Sequence, residues 1–348
     1  EEINKYIKLS LFRDEKDEES GFTILYSLAR KSERYLSVAI TVRVPDCLTR
    51  PPVNLCFCID VSGSMNDLTS YENNEGKIVK TSSSILTAVK YAMKTVLHYL
   101  RSQDKMSIVV FSTNSFVELP LTVMDSSGLA KAKSVIDSMR SFGSTNLWDG
   151  LTKSISQFKG IEGNNCVMLL TDGVPDKIFD TKDVRSYMKN QNINCTVNTF
   201  GFGTSLVKNL LSGIADNGNG IYTFLPDAAT IGPCFIKSLA VIGCTAAQNV
   251  ELMLKTSNGV TLEREPVKEV FEGDVFKSSK TNISIKLGSL FYGHNRTVVV
   301  GVVLPEDFTL RNKYMEASLI IGDNRVEIKS LKETVVTPEA KIALARAE

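Results

Sequence analysis

Five oxygen-bearing side chains sit in three short stretches of this chain, and their types suit the binding of a hard cation. The first stretch is Asp60-Val61-Ser62-Gly63-Ser64, one carboxylate and two hydroxyls. It follows the apolar run Val53-Asn54-Leu55-Cys56-Phe57-Cys58-Ile59, which reads as a buried strand. The second, Gly143-Ser144-Thr145-Asn146-Leu147, offers a hydroxyl just ahead of a helical pattern. The third, Leu169-Leu170-Thr171-Asp172-Gly173, ends another buried run in a carboxylate. Loops at the carboxyl ends of strands are where open α/β sheets bind ligands. Mg²⁺ takes oxygen ligands in an octahedral arrangement and keeps some of its waters. Asp-x-Ser-x-Ser alone is a weak signal, because Asp and Ser also cap turns. The three stretches together carry the metal reading.

Together they resemble the metal-ion-dependent adhesion site of the von Willebrand factor A domain. In that pattern Asp60, Ser62 and Ser64 come from the first loop, Thr145 from the second and Asp172 from the third, with no member missing. The resemblance implies one bound Mg²⁺, with Mn²⁺ or Ca²⁺ as alternatives, and a partner protein whose Asp or Glu is clasped through it. Hydroxyl ligands are neutral, so an ion held by Ser62, Ser64 and Thr145 stays under-neutralised and attractive to a carboxylate. Met65 and Asn66 are expected to touch the partner. The polar insertion Asp67–Lys80 is expected either to flank the ion or to be a disordered loop. The order and spacing of elements over residues 53–244 resemble a complete A domain. Trp148-Asp149-Gly150 and Phe200-Gly201-Phe202-Gly203 resemble a eukaryotic branch whose members carry a further β domain, some with a ubiquitin-ligase module elsewhere. No such ligase module is visible in this sequence.

Catalysis finds little support. Of the two histidines, His98 falls in a helical stretch and His294 in a turn, neither beside a residue that would make it a base. Ser62 and Ser64 lack a nearby His to activate them. Gly63 is followed by Ser64-Met65-Asn66, not by a Lys-bearing phosphate cradle. The expectation is a binding module and not an enzyme. Forty basic and 39 acidic side chains leave a net charge of +1, which offers nothing electrostatic to nucleic acid or an anionic membrane. No apolar run approaches the ~20 residues that span a bilayer. Seven cysteines, with Cys56, Cys58, Cys166 and Cys195 in or beside buried strands, suggest reduced thiols and a cytoplasmic setting. Sequons at Asn194, Asn282 and Asn295 point instead to an extracellular adhesion protein.

The elements that must position these residues change character twice along the chain. Residues 1–50 read as strands, with Ile7, Leu9 and Leu11 and then Leu36, Val38, Ile40, Val42 and Val44 at a period of two, one face buried and one wet. From Val53 to Cys244 buried strands alternate with amphipathic helices, as in a doubly wound, mostly parallel sheet covered on both faces. After Thr245 short strands return, Asn258-Gly259 signals a hairpin, and the pattern over 245–335 is sandwich-like. The economical reading is an α/β domain inserted in, or joined to, an antiparallel β-sandwich built from both chain ends. Thr337-Pro338-Glu339 reads as the start of a helix over 337–348, from a chain expected to continue.

Overall fold

The computed structural model describes residues 23–30, 34–46, 50–72, 78–203, 207–262, 275–306, 315–321, 324–326 and 331–333. In chain order the strands and helices begin with β1 (Thr23–Arg30), β2 (Tyr35–Arg43) and β3 (Val53–Asp60). A 3₁₀ turn, Gly63–Asn66, leads to β4 (Leu68–Glu72), β5 (Ile78–Ser84) and α1 (Ile85–Leu97). Next come β6 (Lys105–Phe111), β7 (Ser115–Val123), α2 (Ser126–Ser138), α3 (Leu147–Ser156) and β8 (Asn164–Thr171). Then follow α4 (Lys182–Asn190), β9 (Thr196–Phe202), α5 (Lys208–Asn217), β10 (Tyr222–Leu225) and α6 (Ile231–Gly243). The remaining strands are β11 (Thr245–Thr256), β12 (Thr261–Leu262), β13 (Val275–Ser278), β14 (Asn282–Phe291), β15 (Arg296–Val303), β16 (Met315–Ile321), β17 (Asn324–Val326) and β18 (Leu331–Glu333).

The chain separates into two compact units, one drawn from residues 1–49 and 245–348, the other Arg50–Cys244. The second unit is built on a six-stranded sheet in the order β10-β9-β8-β3-β6-β7, parallel except for the antiparallel edge strand β7. Every residue of β3 is buried, because helices cover both faces. Leu55, Phe57 and Ile59 pack with Val89, Met93 and Val96 of α1, Ile136 of α2 and Phe235 of α6. Cys56 and Cys58 point the other way, into a layer with Leu151 and Ile155 of α3, Val184 of α4 and Ile214 of α5. Helices α1 and α2 start where short polar side chains can take a free amide: Ser84 accepts from Thr87 N at 3.2 Å, and Asp125 from Gly128 N at 2.8 Å. Gly150 lets α3 settle directly on β6, since a Cβ there would lie 2.6 Å from the Phe111 ring. Ahead of β6, the buried Asp104 pairs with Arg50 at 2.5 Å and accepts from the amides of Val53 and Arg101. That set of donors satisfies a carboxylate that burial would otherwise penalise.

The first unit is a sandwich of two sheets, β12-β15-β2-β1-β18 and β13-β14-β11-β16-β17. Val38, Ile40, Val298 and Val300 from one sheet and Leu252, Leu254, Ile283 and Leu319 from the other share a single core. The β2–β15 ladder joins residues on either side of the α/β segment, from Tyr35 against Val303 to Val42 against Arg296. The pairing of β1 with β18 is parallel.

Several expectations change in detail. Strand β2 does not keep a wet face: its seven middle residues are all buried, Ser37 and Thr41 included. It lies inside its sheet, where short side chains are shielded by the strands beside them, and Thr41 Oγ1 meets Thr297 Oγ1 at 2.8 Å. The Asp67–Lys80 insertion holds β4 and the first residues of its antiparallel partner β5, with residues 73–77 outside the described set. Asn258 and Gly259 do form a tight turn, both at positive φ (51° and 81°), closed by Val260 N donating to Ser257 O. The strands it connects are not partners, because β11 and β12 belong to opposite sheets. The turn signal fixes a reversal of the chain, not who pairs afterwards. The strand expected at Ile7–Leu11, the helix expected from Thr337, and Cys47 lie outside the described residues.

Candidate metal centre

Asp60 is the last residue of β3, and Thr171, its counterpart on the adjacent parallel strand, is the last of β8. Side by side at the sheet's carboxyl end, they meet: Thr171 Oγ1 donates to Asp60 Oδ2 at 2.5 Å. The other Asp60 oxygen accepts from Ser62 N at 2.7 Å. Ser62 Oγ and Ser64 Oγ stand 3.1 Å apart, and Ser64 Oγ donates to Asp172 Oδ1 at 2.8 Å. Thr145 Oγ1 reaches the same spot: a Cβ built on Gly173 would lie 3.7 Å from Ser64 Oγ and 3.8 Å from Thr145 Oγ1. All five residues singled out in the sequence therefore converge. Asp60 and Ser62 lie at the buried base. Ser64, Thr145 and Asp172 open onto a cavity of about 350 Å³.

Backbone hydrogen bonds hold the three loops in register. Gly63 N donates to Gly143 O at 3.1 Å, and Phe142 N to Val61 O at 2.7 Å, binding the first loop to the second. Gly143 has φ of 76°, and a Cβ there would come within 2.6 Å of Thr113 Oγ1, so only glycine fits without strain. The second loop is clamped to the third by a reciprocal pair: Thr145 N donates to Asp176 Oδ2 at 3.2 Å, and Asp176 N to Thr145 O at 2.9 Å. Further along, Phe179 packs at a tilt against Trp148 of α3, ring centres 4.6 Å apart, and Tyr187 of α4 meets the same indole edge-on at 6.2 Å.

Electrostatics fit a missing positive charge. Burial pushes the Asp60 carboxyl up to about 6, and the Asp172 charge pushes the same way against the hydrogen bonds from Thr171 and Ser62. Asp172 is raised too, chiefly by burial, with Asp67 adding repulsion. No Lys or Arg lines the cavity among the described residues. Two carboxylates and three hydroxyls, all hard oxygens and none neutralised by a base, form a donor set that suits Mg²⁺.

One residue behaves differently from expectation, and two were not foreseen. Met65 does not face a partner: it is fully buried in the core beneath α1. The 3₁₀ turn puts its side chain inward and leaves Asn66 exposed. Thr171 and Asp176, which position Asp60 and Thr145, carry no motif of their own. Only the pairing of β3 with β8 and the meeting of the loops reveal them.

Residues 78–224 match the family model described as von Willebrand factor type A domain. Together with the sheet order, this match gives residues 50–244 the α/β fold of the von Willebrand factor A domain, a class of protein-interaction and adhesion module. It is similar to the uncharacterized protein YfbK of Escherichia coli (strain K12), 29% identical over 67% of this chain and 40% of the relative. It is also similar to the probable E3 ubiquitin-protein ligase WAVH2 of Arabidopsis thaliana, 24% identical over 88% of this chain and 39% of the relative. The chain thus spans about two fifths of the length of each. The resemblance extends to bacteria as well as plants, so it is not confined to a eukaryotic branch. Among solved structures, a von Willebrand factor type A protein from Catenulispora acidiphila shares the fold with a TM-score of 0.63 at 17% identity, over 95% of this chain and 80% of that one.

Proposed function

We propose that this chain is a Mg²⁺-dependent protein-interaction module that clasps an acidic side chain of a partner protein, and not an enzyme. The observation that carries this reading is the meeting of Asp60, Ser62, Ser64, Thr145 and Asp172 from three loops, with no basic side chain among the lining residues to neutralise the two carboxylates. When bound, Mg²⁺ (or Mn²⁺ or Ca²⁺) supplies a coordination position for a partner's carboxylate. Asp60 fixes the base of the site through Thr171 and the Ser62 amide. Ser62 and Ser64 present neutral oxygens, Thr145 is steadied by Asp176, and Asp172 closes the set from the third loop. Gly173 has no side chain, so the mouth stays open beside Ser64 and Thr145.

Isothermal titration with Mg²⁺ tests the site: wild type is expected to bind one ion, and Asp60→Ala to lose binding. Equal titration of both proteins would refute the assignment. Capture of partners in Mg²⁺ against chelator, repeated with Asp172→Ala, tests the clasp. Capture that survives both treatments would place function on another surface, with the β-sandwich next in line. A cytoplasmic setting is part of the proposal, supported by the six described cysteines, all free thiols. A second reading, the substrate-recognition part of a ubiquitin ligase, draws on the similarity to the plant ligase over most of this chain. A third, an extracellular adhesion protein, draws on the exposed sequon residues Asn194, Asn282 and Asn295.

A further inference from the structure

Resting on the clasp reading, we infer that Asp67 sets which acidic segments the site accepts: a carboxylate beside a Lys or Arg, and not one inside an acidic run. Asp67 lines the same cavity as Ser64, Thr145 and Asp172, and the rest of that wall includes the apolar Ile85, Val174 and Phe202. Its backbone is fixed on both sides. The amide donates to Ser64 O at 2.8 Å, closing the 3₁₀ turn, and the carbonyl accepts from Ile85 N at 3.0 Å, at the start of α1. The residue is exposed, and no ion pair or hydrogen bond to a described residue occupies its carboxylate.

Charge counting then gives the preference. Asp60 and Asp172 are the charged members of the donor set, and the neutral hydroxyls beside them leave the ion open to one further carboxylate. Asp67 adds a negative charge at the rim that nothing in the cavity wall offsets. An approaching Asp or Glu must therefore pass a like charge, and a second acidic neighbour doubles the repulsion. A basic neighbour reverses it. At a separation of one residue and an effective dielectric between protein and water, such a contact shifts binding by about five- to tenfold. The exposed Val174 also lines the cavity and adds apolar surface beside the site.

The test uses the whole chain and a displayed peptide library with a fixed central Asp and randomised neighbours, selected in Mg²⁺ and again in chelator. Wild type is expected to enrich Lys or Arg beside the Asp, by about five- to tenfold over Asp or Glu. With Asp67→Asn the bias should shrink, and with Asp67→Lys it should invert. The bias is read between flanks within each protein, so a change in overall affinity does not enter. Raising NaCl should flatten it, because the pair is exposed. Mg²⁺-dependent enrichment with the same flanks in all three proteins would overturn the role of Asp67 and leave the clasp standing. No Mg²⁺-dependent enrichment in any of them would overturn the clasp itself, and this inference with it.

Discussion

Asp60 is a carboxylate held where its charge is costly. Burial raises its folded-state value from 3.8 to about 6. Between about pH 4 and 6 the folded protein therefore holds a proton that the unfolded chain has released. Metal-free stability is greatest at the acid end of that window and is lost as pH rises through it, by roughly 3 kcal/mol at two pKa units. Differential scanning fluorimetry in chelator should show this fall in wild type and a smaller one in Asp60→Asn, where Asp172, also raised by burial, remains. Added Mg²⁺ should reverse it, raising the midpoint more at pH 7 than at pH 5, since protons and cation compete for the same oxygens. The Met65 side chain belongs to stability instead. Met65→Ala should cost about 2–5 kcal/mol in urea denaturation, the usual penalty for emptying a core position. A near-neutral result would mean that the turn swings the residue outward in solution. Its burial was not legible in the sequence, because a Met directly after a loop serine looks the same whether the turn folds in or out.

At the scale of elements, three loops are pinned to one another by backbone bonds before any ion arrives. Gly143 is the joint where this is most exposed to mutation. Gly143→Ala must place a Cβ at positive φ and against Thr113. It should cost about 1–3 kcal/mol of stability. Because the Gly63–Gly143 bond would shift with it, Mg²⁺ affinity measured by titration should fall as well. Unchanged affinity would show that the loops are independent. Most of these elements could be read in advance: the runs ending in Ile59 and Leu170 are too apolar for a surface, and α1 repeats Val89, Met93 and Val96 at helical spacing. The β4–β5 pair could not, since Leu68–Ser84 has few apolar residues and its strands join by backbone bonds and hydroxyls such as Thr69 with Thr81. The destination of the chain after Asn258-Gly259 was equally hidden, because a tight turn is local and sheet membership is decided by distant partners.

At the scale of the whole molecule, the described residues form two hydrophobic cores with no described residue in common, one around Phe57 and Phe235 with its companion layer under β3, the other around Ile40 and Leu252. Scanning calorimetry should resolve two transitions, and Mg²⁺ should raise one of them. A single transition that shifts as a whole would contradict this. We also propose that residues 1–50 and 245–330 fold together, so that cleavage in the Pro45–Pro52 segment leaves the pieces associated through the β2–β15 ladder. The same connectivity has a mechanical side. Strands β1 and β18 run parallel, so tension drawing the upstream and downstream ends of the sandwich apart loads their hydrogen bonds in shear. The β2–β15 ladder lies behind them in the same sheet. Load crosses the sheet from strand to strand, and the β2–β15 ladder closes the chain on either side of the segment from Arg50 to Cys244. In an optical trap, the roughly 65 nm of extension stored in that segment, at ~3.4 Å per residue, should be released only after the sandwich has given way. The candidate cation site would then keep its shape under pulling forces that are already straining the strands on either side of it in the sequence.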